Sequence, residues 1–292
     1  IFMLFKDRRI IMWDVILDTL IDTVKLIPFL LITYIIMEFM EHKTSHKTKN
    51  AIKKSGRFGP FFGGVLGIIP QCGFSAAASS LYSARIITLG TLIAIFLSTS
   101  DEMLPILISS EIDAKIIFTI LGIKLAIAII IGFIIDLFFR KQFENESQEP
   151  EIKDLCEHEH CDCEHGIFKS SLKHTINITL YILIISFVLN LIIFFIGEDT
   201  LAKVLNSTPI VGPIVSSLVG LIPNCASSVL ITQLYVSDVL NFATMIAGLL
   251  VNTGVGLLVL FRTNDNLKEN IKITTLLFSI GVISGIILDL IF

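Results

Sequence analysis

Residues 59–75 read GPFFGGVLGIIPQCGFS, and 153 positions later residues 212–228 read GPIVSSLVGLIPNCASS. Without a gap, this shift lays Gly59, Pro60, Gly67, Ile69, Pro70, Cys72 and Ser75 on Gly212, Pro213, Gly220, Ile222, Pro223, Cys225 and Ser228. Beyond the quoted stretch it lays Tyr82 on Tyr235, and Thr91, Ile93, Ala94 and Leu97 on Thr244, Ile246, Ala247 and Leu250. Gly132, Asp136 and Leu137 fall on Gly285, Asp289 and Leu290. Apolar segments share residues by chance, but Pro, Gly, Cys and Asp rarely coincide that way. The chain is one unit written twice, as residues 1–142 and 167–292. Between them, residues 143–166 are rich in Glu, Asp, Cys and His and too poor in apolar residues to repay their ordering entropy, which predicts a flexible linker.

The composition decides the class. Of 292 residues 53% are hydrophobic and 16% charged, with a mean hydropathy of +0.82, whereas soluble domains carry about 25% charged residues. The charge-free runs Thr175–Gly197, Val204–Ser237 and Val239–Phe261 can each cross a hydrocarbon core, which takes about 20 helical residues. This predicts an all-α, multi-pass protein of the cell membrane with the lipid bilayer as its partner, and argues against a soluble enzyme. The six basic residues from Lys43 to Arg57 read as a membrane-flanking loop, so nucleic acid is not an expected partner. There is no G-x-x-x-x-G-K-[ST] loop, H-E-x-x-H, G-x-S-x-G or dinucleotide fingerprint, which leaves an ATP-driven pump or a hydrolase without support.

Each half reads as an apolar helix (24–40; 174–196), a Gly/Pro-rich stretch (58–82; 208–235), a helix interrupted by polar residues (86–110; 239–261) and a closing helix (116–139; 271–291). Pro70 and Pro223 leave about 12 residues on each side, roughly 18 Å of helix, too short to cross. A re-entrant hairpin is the expected form, its tip buried in protein. Each hairpin can be counted as two short spans or as none. The number of crossings per half is odd either way, so the second repeat is expected to be inverted. Placing the Lys43–Arg57 loop in the cytoplasm puts 15 basic residues on that side and 5 outside, as the positive-inside rule requires. The linker is then cytoplasmic.

Inverted repeats with paired helix breaks are how secondary transporters build a midplane site. The hairpin tips offer Gln71, Cys72 and Ser75 in one half and Asn224, Cys225 and Ser228 in the other: an amide, a thiol and a hydroxyl each time. Their alternative role is to satisfy backbone groups freed by proline. The interrupted helix carries Ser98, Thr99, Ser100, Asp101 and Glu102, roughly 20 Å from its start, and its counterpart carries Asn252 and Thr253. A buried carboxylate costs about 3 kcal/mol by insertion scales, so Asp101 and Glu102 call for a cation, a proton or a basic partner. Lys124, inside the closing helix, could neutralise either. The candidate metal ligands are Asp101, Glu102, Cys72 and Cys225. Asp14, Asp18 and Asp22 share a helix face, and Glu38, Asp136 and Asp289 lie near helix ends; solvation suffices for all of these.

In the linker, Cys156, His158, His160, Cys161, Cys163 and His165 exceed the four ligands zinc-type chelation needs, but without the spacing of a closed zinc motif. A labile metal site fits better than a folded one. No permanently bound cofactor is expected.

The strings Leu26–Leu30 with Glu38, Gly67–Ser75, Phe96–Met103 and Gly220–Ala226 together resemble the ten-transmembrane heavy-metal exporters, whose members are labelled manganese transporters or arsenic efflux proteins. The resemblance covers nearly the whole chain. It implies ten spans and efflux of a metal or metalloid. Oxygen donors at Asp101, Glu102, Asn252 and Gln71 favour a hard divalent cation such as manganese, whereas the two thiols favour a softer ion such as arsenite. Two cysteines are one short of a trigonal thiolate site. The expectation is therefore a secondary transporter, not an enzyme, that exports a divalent transition metal by alternating access with H+ or Na+ as coupling ion. An arsenite or organoarsenical permease and a small-anion or organic-solute carrier are the alternatives.

Overall fold

The computed structural model describes most of residues 17–35 and all of 58–69, 72–100, 102–146, 167–196 and 211–291. The described part of 17–35 is helical. It is followed by α1 (Gly59–Gly67), α2 (Cys72–Ser83), α3 (Leu89–Ser98), α4 (Met103–Ser109) and α5 (Ala114–Glu146). The second half contributes α6 (Ile167–Ile196), α7 (Val211–Gly220), α8 (Cys225–Val236), α9 (Phe242–Val251), α10 (Gly256–Thr263) and α11 (Leu267–Ile291). The starts of α2, α3, α4 and α5 lie 153 residues before those of α8, α9, α10 and α11. The sequence repeat is thus a repeat of structure, element by element. α5 runs on to Glu146, four residues into the expected linker, and the described part of α6 begins at Ile167.

Each break has a local cause. Pro60 sits in the first turn of α1, where its missing N–H costs nothing. In a continuous helix Pro105 would clash with the carbonyl four residues earlier; with α4 starting at Met103 it lies in a first turn instead. The second half has no proline there. Its break is built by Asn252, whose Oδ1 accepts the Gly254 N–H at 3.0 Å, and by Gly254 at φ 54°, a left-handed conformation that glycine adopts without strain. Helices α2, α4 and α8 end alike, at Arg85, Glu111 and Asp238 with φ of 54–56°. Each is followed by an amide that reaches back to a last-turn carbonyl: Ile86 to Leu81, Ile112 to Leu107 and Val239 to Leu234.

Contacts along the helices give their directions. On α1, Gly59 and Gly63 face Thr91 and Ile95 of α3, and Gly67 faces Ile95 and Ser98, so the two run parallel. Residues 84–88 join the end of α2 to the start of α3, which sends α2 the other way. α1 and α2 are therefore a helical hairpin. Its arms have 9 and 12 residues, about 14 and 18 Å long against a hydrocarbon core of about 30 Å. In the second half, Asn252 at the end of α9 bonds Asn224 and Ser227 at the start of α8, which makes α8 and α9 antiparallel. On α11, Gly281 faces Val251 and Gly285 faces Ala247 and Ala243. α11 is thus antiparallel to α9, and α10 continues along α9 as the second part of one broken span.

Ser79 and Ser83 of α2 contact Gly256 and Thr263 of α10, so α2 runs parallel to α10. It is then antiparallel to α8, its own counterpart. Equivalent helices that point opposite ways are related by an axis across their direction, so the repeats are inverted. They interlock reciprocally: α2 packs on α10, α8 packs on α4, and α3 meets α9 at the centre. Gly132 and Gly285 show how alike the halves are. The first lies against Pro60 and Ala94, the second against Pro213 and Ala247, each pair 153 residues apart.

Among the described residues, five segments are long and apolar enough to cross a membrane: Leu89–Ser109, Ala114–Phe139, Ser171–Val188, Phe242–Thr263 and Leu267–Ile291. The two broken spans form the buried core, while α5 and α11 turn Phe118, Leu137, Phe138 and Leu290 outward. Large apolar side chains outside and polar ones inside suit a lipid solvent. With both arms counted, the hairpin, broken span, closing helix and leading helix make five segments per half.

Candidate functional site

The breaks of α3–α4 and α9–α10 and the tip of the second hairpin meet in the middle of the molecule, because the inverted repeats cross there. At that tip Asn224 is buried, and its Oδ1 accepts the Ala226 N–H at 3.3 Å, capping α8. Ser227 Oγ donates to the carbonyls of Asn224 and Ile222 at 2.7 and 3.1 Å, and Ser228 Oγ to that of Cys225 at 2.8 Å. Those hydroxyls are bonded to carbonyls of the tip and of the first turn of α8, so part of the polarity of the tip is structural. The Asn252 amide, buried at the end of α9, donates to Ser227 Oγ and, at 3.4 Å, to the Asn224 carbonyl. Thr253 Oγ1 accepts the Leu257 N–H at 3.4 Å. Tip and break are one hydrogen-bonded unit, with the buried Cys225 thiol beside it.

On the first half's side, Ser98, Thr99 and Ser100 are buried and Glu102 is half-buried. Their hydroxyls also turn to backbone: Ser98 Oγ to Ala94 at 2.9 Å, Thr99 Oγ1 to Ile95 at 2.7 Å and Ser100 Oγ to Ser98 at 3.0 Å. The Lys124 side chain, 1% exposed, crosses from α5 into this region. Its ammonium donates to the Thr99 carbonyl and, at 3.0 Å, to the Leu249 carbonyl. The sequence suggested a carboxylate for Lys124; carbonyls from both broken spans are among its partners. Ser75 and Ser79 of the first hairpin complete the centre, Ser79 Oγ donating to the Gly256 carbonyl at 2.7 Å.

A second polar cluster closes one end of the α2–α10 seam. Arg85 forks onto Glu269, Nη1 to Oε1 at 2.7 Å and Nη2 to Oε2 at 2.9 Å. The Tyr82 hydroxyl also donates to Glu269, and Asn264 Nδ2 donates at 3.3 Å. Asn264 and Asn270 exchange further bonds of 2.8 Å, and Ser83 and Thr263 share one of 2.7 Å. At the other end the repeat puts Asp238 in the place of Arg85, and Glu111 and Ile116 in those of Asn264 and Glu269. The repeat positions of Arg85, Asn264 and Glu269 thus carry no side chains that could form the same network at the other end.

The sequence reading missed this cluster, since its members lie 184 residues apart and none sits in a motif. One signal was available: Arg85 and Asp238 occupy the same repeat position with opposite charge. Asp136 and Asp289, read as interfacial, also have structural partners. Asp136 accepts from the Thr88 hydroxyl at 2.7 Å and the Gly90 N–H at 2.8 Å, and Asp289 from Asn241 at 2.8 Å. Both stand at the N-termini of their broken spans, where negative charge is favourable. Gln71, Asp101, the Cys72 side chain, Asp14, Asp18, Asp22, Glu38 and the linker residues Cys156, His158, His160, Cys161, Cys163 and His165 lie outside the described residues. Of the named candidates, the structure therefore brings Asn252, Thr253, Asn224, Ser228 and Cys225 together on one side, and Ser98, Thr99, Ser100, Glu102 and Lys124 on the other; Ser227, which the sequence analysis did not single out, joins Asn252 to the tip. Among the described residues no group of three His, Cys, Asp or Glu side chains converges.

No curated protein and no solved structure matches the chain. A family described as "Putative, 10TM heavy-metal exporter" matches it over residues 10–196, 146–261 and 188–292, which together take in both repeats, both hairpins and both breaks. This chain belongs to that family of ten-transmembrane heavy-metal exporters.

Proposed function

We propose that the chain is a secondary transporter of the cell membrane that exports a divalent transition metal, manganese foremost, by alternating access at the crossing of its two broken spans. The observation that carries this reading is the meeting at one buried centre of the helix breaks, a hairpin tip and a set of side-chain and backbone oxygens, the arrangement in which transporters hold ions. Asp101 and Glu102 would supply the charge that binds the ion, with Gln71, Ser98, Thr99, Ser100, Asn224, Asn252 and Thr253 as neutral donors, and Ser75 and Ser228 at the hairpins. The hairpins would be re-entrant, since neither arm is long enough to cross. The Arg85–Glu269–Tyr82 network would close the cytoplasmic end of the pathway, and rocking of one repeat against the other would open it. H+ or Na+ would drive the return leg.

One observation keeps a softer cargo in view: Cys225 is buried at its tip, and the repeat places Cys72 in the equivalent position. Thiols at both tips suit arsenite or an organoarsenical better than manganese. Elemental mass spectrometry of cells expressing the chain separates the two. Manganese depletion that is lost in Asp101→Asn/Glu102→Gln and kept in Cys72→Ser/Cys225→Ser supports the oxygen-ligand exporter. Arsenic depletion lost in the cysteine variant replaces it with the metalloid permease. Unchanged levels of every element refute both and point to an anion or organic-solute carrier.

A further inference from the structure

We infer that Lys124 is a tethered cation filling a monovalent-cation site at the crossing of the two broken spans, so that sodium is not a coupling ion there. Thr99 caps the C-terminus of α3, and Leu249 lies in the last turn of α9. Both carbonyls come from turns whose helical acceptors are left without intrahelical donors by the breaks. A helix C-terminus carries partial negative charge on its free carbonyls, which favours a cation close to them. The Lys124 ammonium is set against two such carbonyls. Lys124 delivers its ammonium from α5, with the amine on both carbonyls and the side chain fully buried.

The inverted repeat supplies an internal control. The pseudo-twofold partner of Lys124 is Leu277, fully buried on α11. A leucine there brings no charge, so the ammonium is not a general requirement of the fold; it belongs to one side of the crossing. The side chains of α1, α3, α4 and α9 include no titratable group. Glu102, half-buried at the start of α4, is the described carboxylate nearest the crossing in sequence. Free carbonyls at converging helix ends are the chemistry with which transporters coordinate sodium. In this chain the lysine stands where that ion would bind, and its covalent tether makes it an intramolecular competitor for the site.

The inference rests on reading the centre as an ion site, but its test needs no transport. The melting midpoint of the purified full chain is measured in sodium, in potassium and in N-methyl-D-glucamine, a cation too large to enter, for the parent, Lys124→Ala and Lys124→Met. The parent should melt alike in all three. Lys124→Ala should melt lower in N-methyl-D-glucamine and recover with sodium or potassium, saturably, by about 3 °C when the ion exceeds its dissociation constant roughly tenfold. Lys124→Met, whose thioether fills the same space, should fold without that response. Overturning results are a parent stabilised saturably by sodium, or an Ala variant with equal midpoints in all three salts. If Lys124→Ala does not fold in any salt, Lys124→Ser, whose hydroxyl can bond a carbonyl one turn back in α5, is read by the same criterion, and a folded Ser variant with no ion response likewise overturns the inference. Absence of manganese depletion by the parent chain in cells, with the sodium response of Lys124→Ala intact, would count against the proposed cargo and leave the tethered cation standing.

Discussion

Glu269→Gln should unlatch one end of the molecule. Glu269 accepts both prongs of the Arg85 guanidinium at 2.7 and 2.9 Å, with further donors from Tyr82 and Asn264, and the two charged side chains are only 11% and 19% exposed. Removing one member of a buried pair costs about 3–5 kcal/mol because the other charge is stranded. An amide keeps part of the hydrogen bonding and water can enter from the end, so about 2–3 kcal/mol is the expected loss from the closed state. At 1.4 kcal/mol per factor of ten, the open population rises roughly 30- to 150-fold. Cys225 reports it: the residue is 4% exposed, and with Cys72, Cys156, Cys161 and Cys163 replaced by serine it is the remaining site for a water-soluble maleimide. The labelling rate should rise in proportion to the open population. The double variant Arg85→Met/Glu269→Gln strands no charge and should label more slowly than Glu269→Gln alone. A single variant that is folded, melts normally and labels within about twofold of the parent refutes the latch.

Three further outcomes are expected. Gly132→Ala and Gly285→Ala should each lose about 1–3 kcal/mol by overpacking, because the added carbon would stand 2.9 Å from Pro60 or Pro213 and 3.0 or 2.6 Å from Ala94 or Ala247. Gly122→Ala, with nothing within 4 Å, should be neutral or gain up to about 1 kcal/mol, and melting midpoints compare the three. Asp136→Asn should cost about 1–2 kcal/mol, since the buried carboxylate accepts from two donors at a helix N-terminus. Asp289→Asn, on the exposed counterpart bond, should cost under about 0.5 kcal/mol, and equal losses would undo that contrast. Asn252→Ala should cost about 1–3 kcal/mol by orphaning the Gly254 amide and the Asn224 and Ser227 oxygens. It should also reduce metal depletion in cells; full export with a lowered midpoint would make Asn252 purely structural.

The one-dimensional pattern carried the architecture. Pro70 and Pro223, the 153-residue shift and the uncharged runs were enough to place the hairpins, the broken spans, the closing helices and the inversion, because helix breaks follow from local backbone chemistry and odd crossings follow from counting. The same reading could name polar residues at the breaks but not their use. Ser227, Ser228, Ser98 and Ser100 turned out to bond the nearest carbonyls, a choice between backbone and ligand that spacing does not express. What faces what across the interlocked repeats was decided in three dimensions. Lys124 reaches Thr99 and Leu249, 25 and 125 residues away, and Arg85 meets Glu269 across 184. Sequence periodicity records which face of a helix is buried, and it is the same for every partner that could cover that face. Only the crossing of α3 with α9, and of α2 with α10, selects a lysine for two helix ends and a glutamate for an arginine.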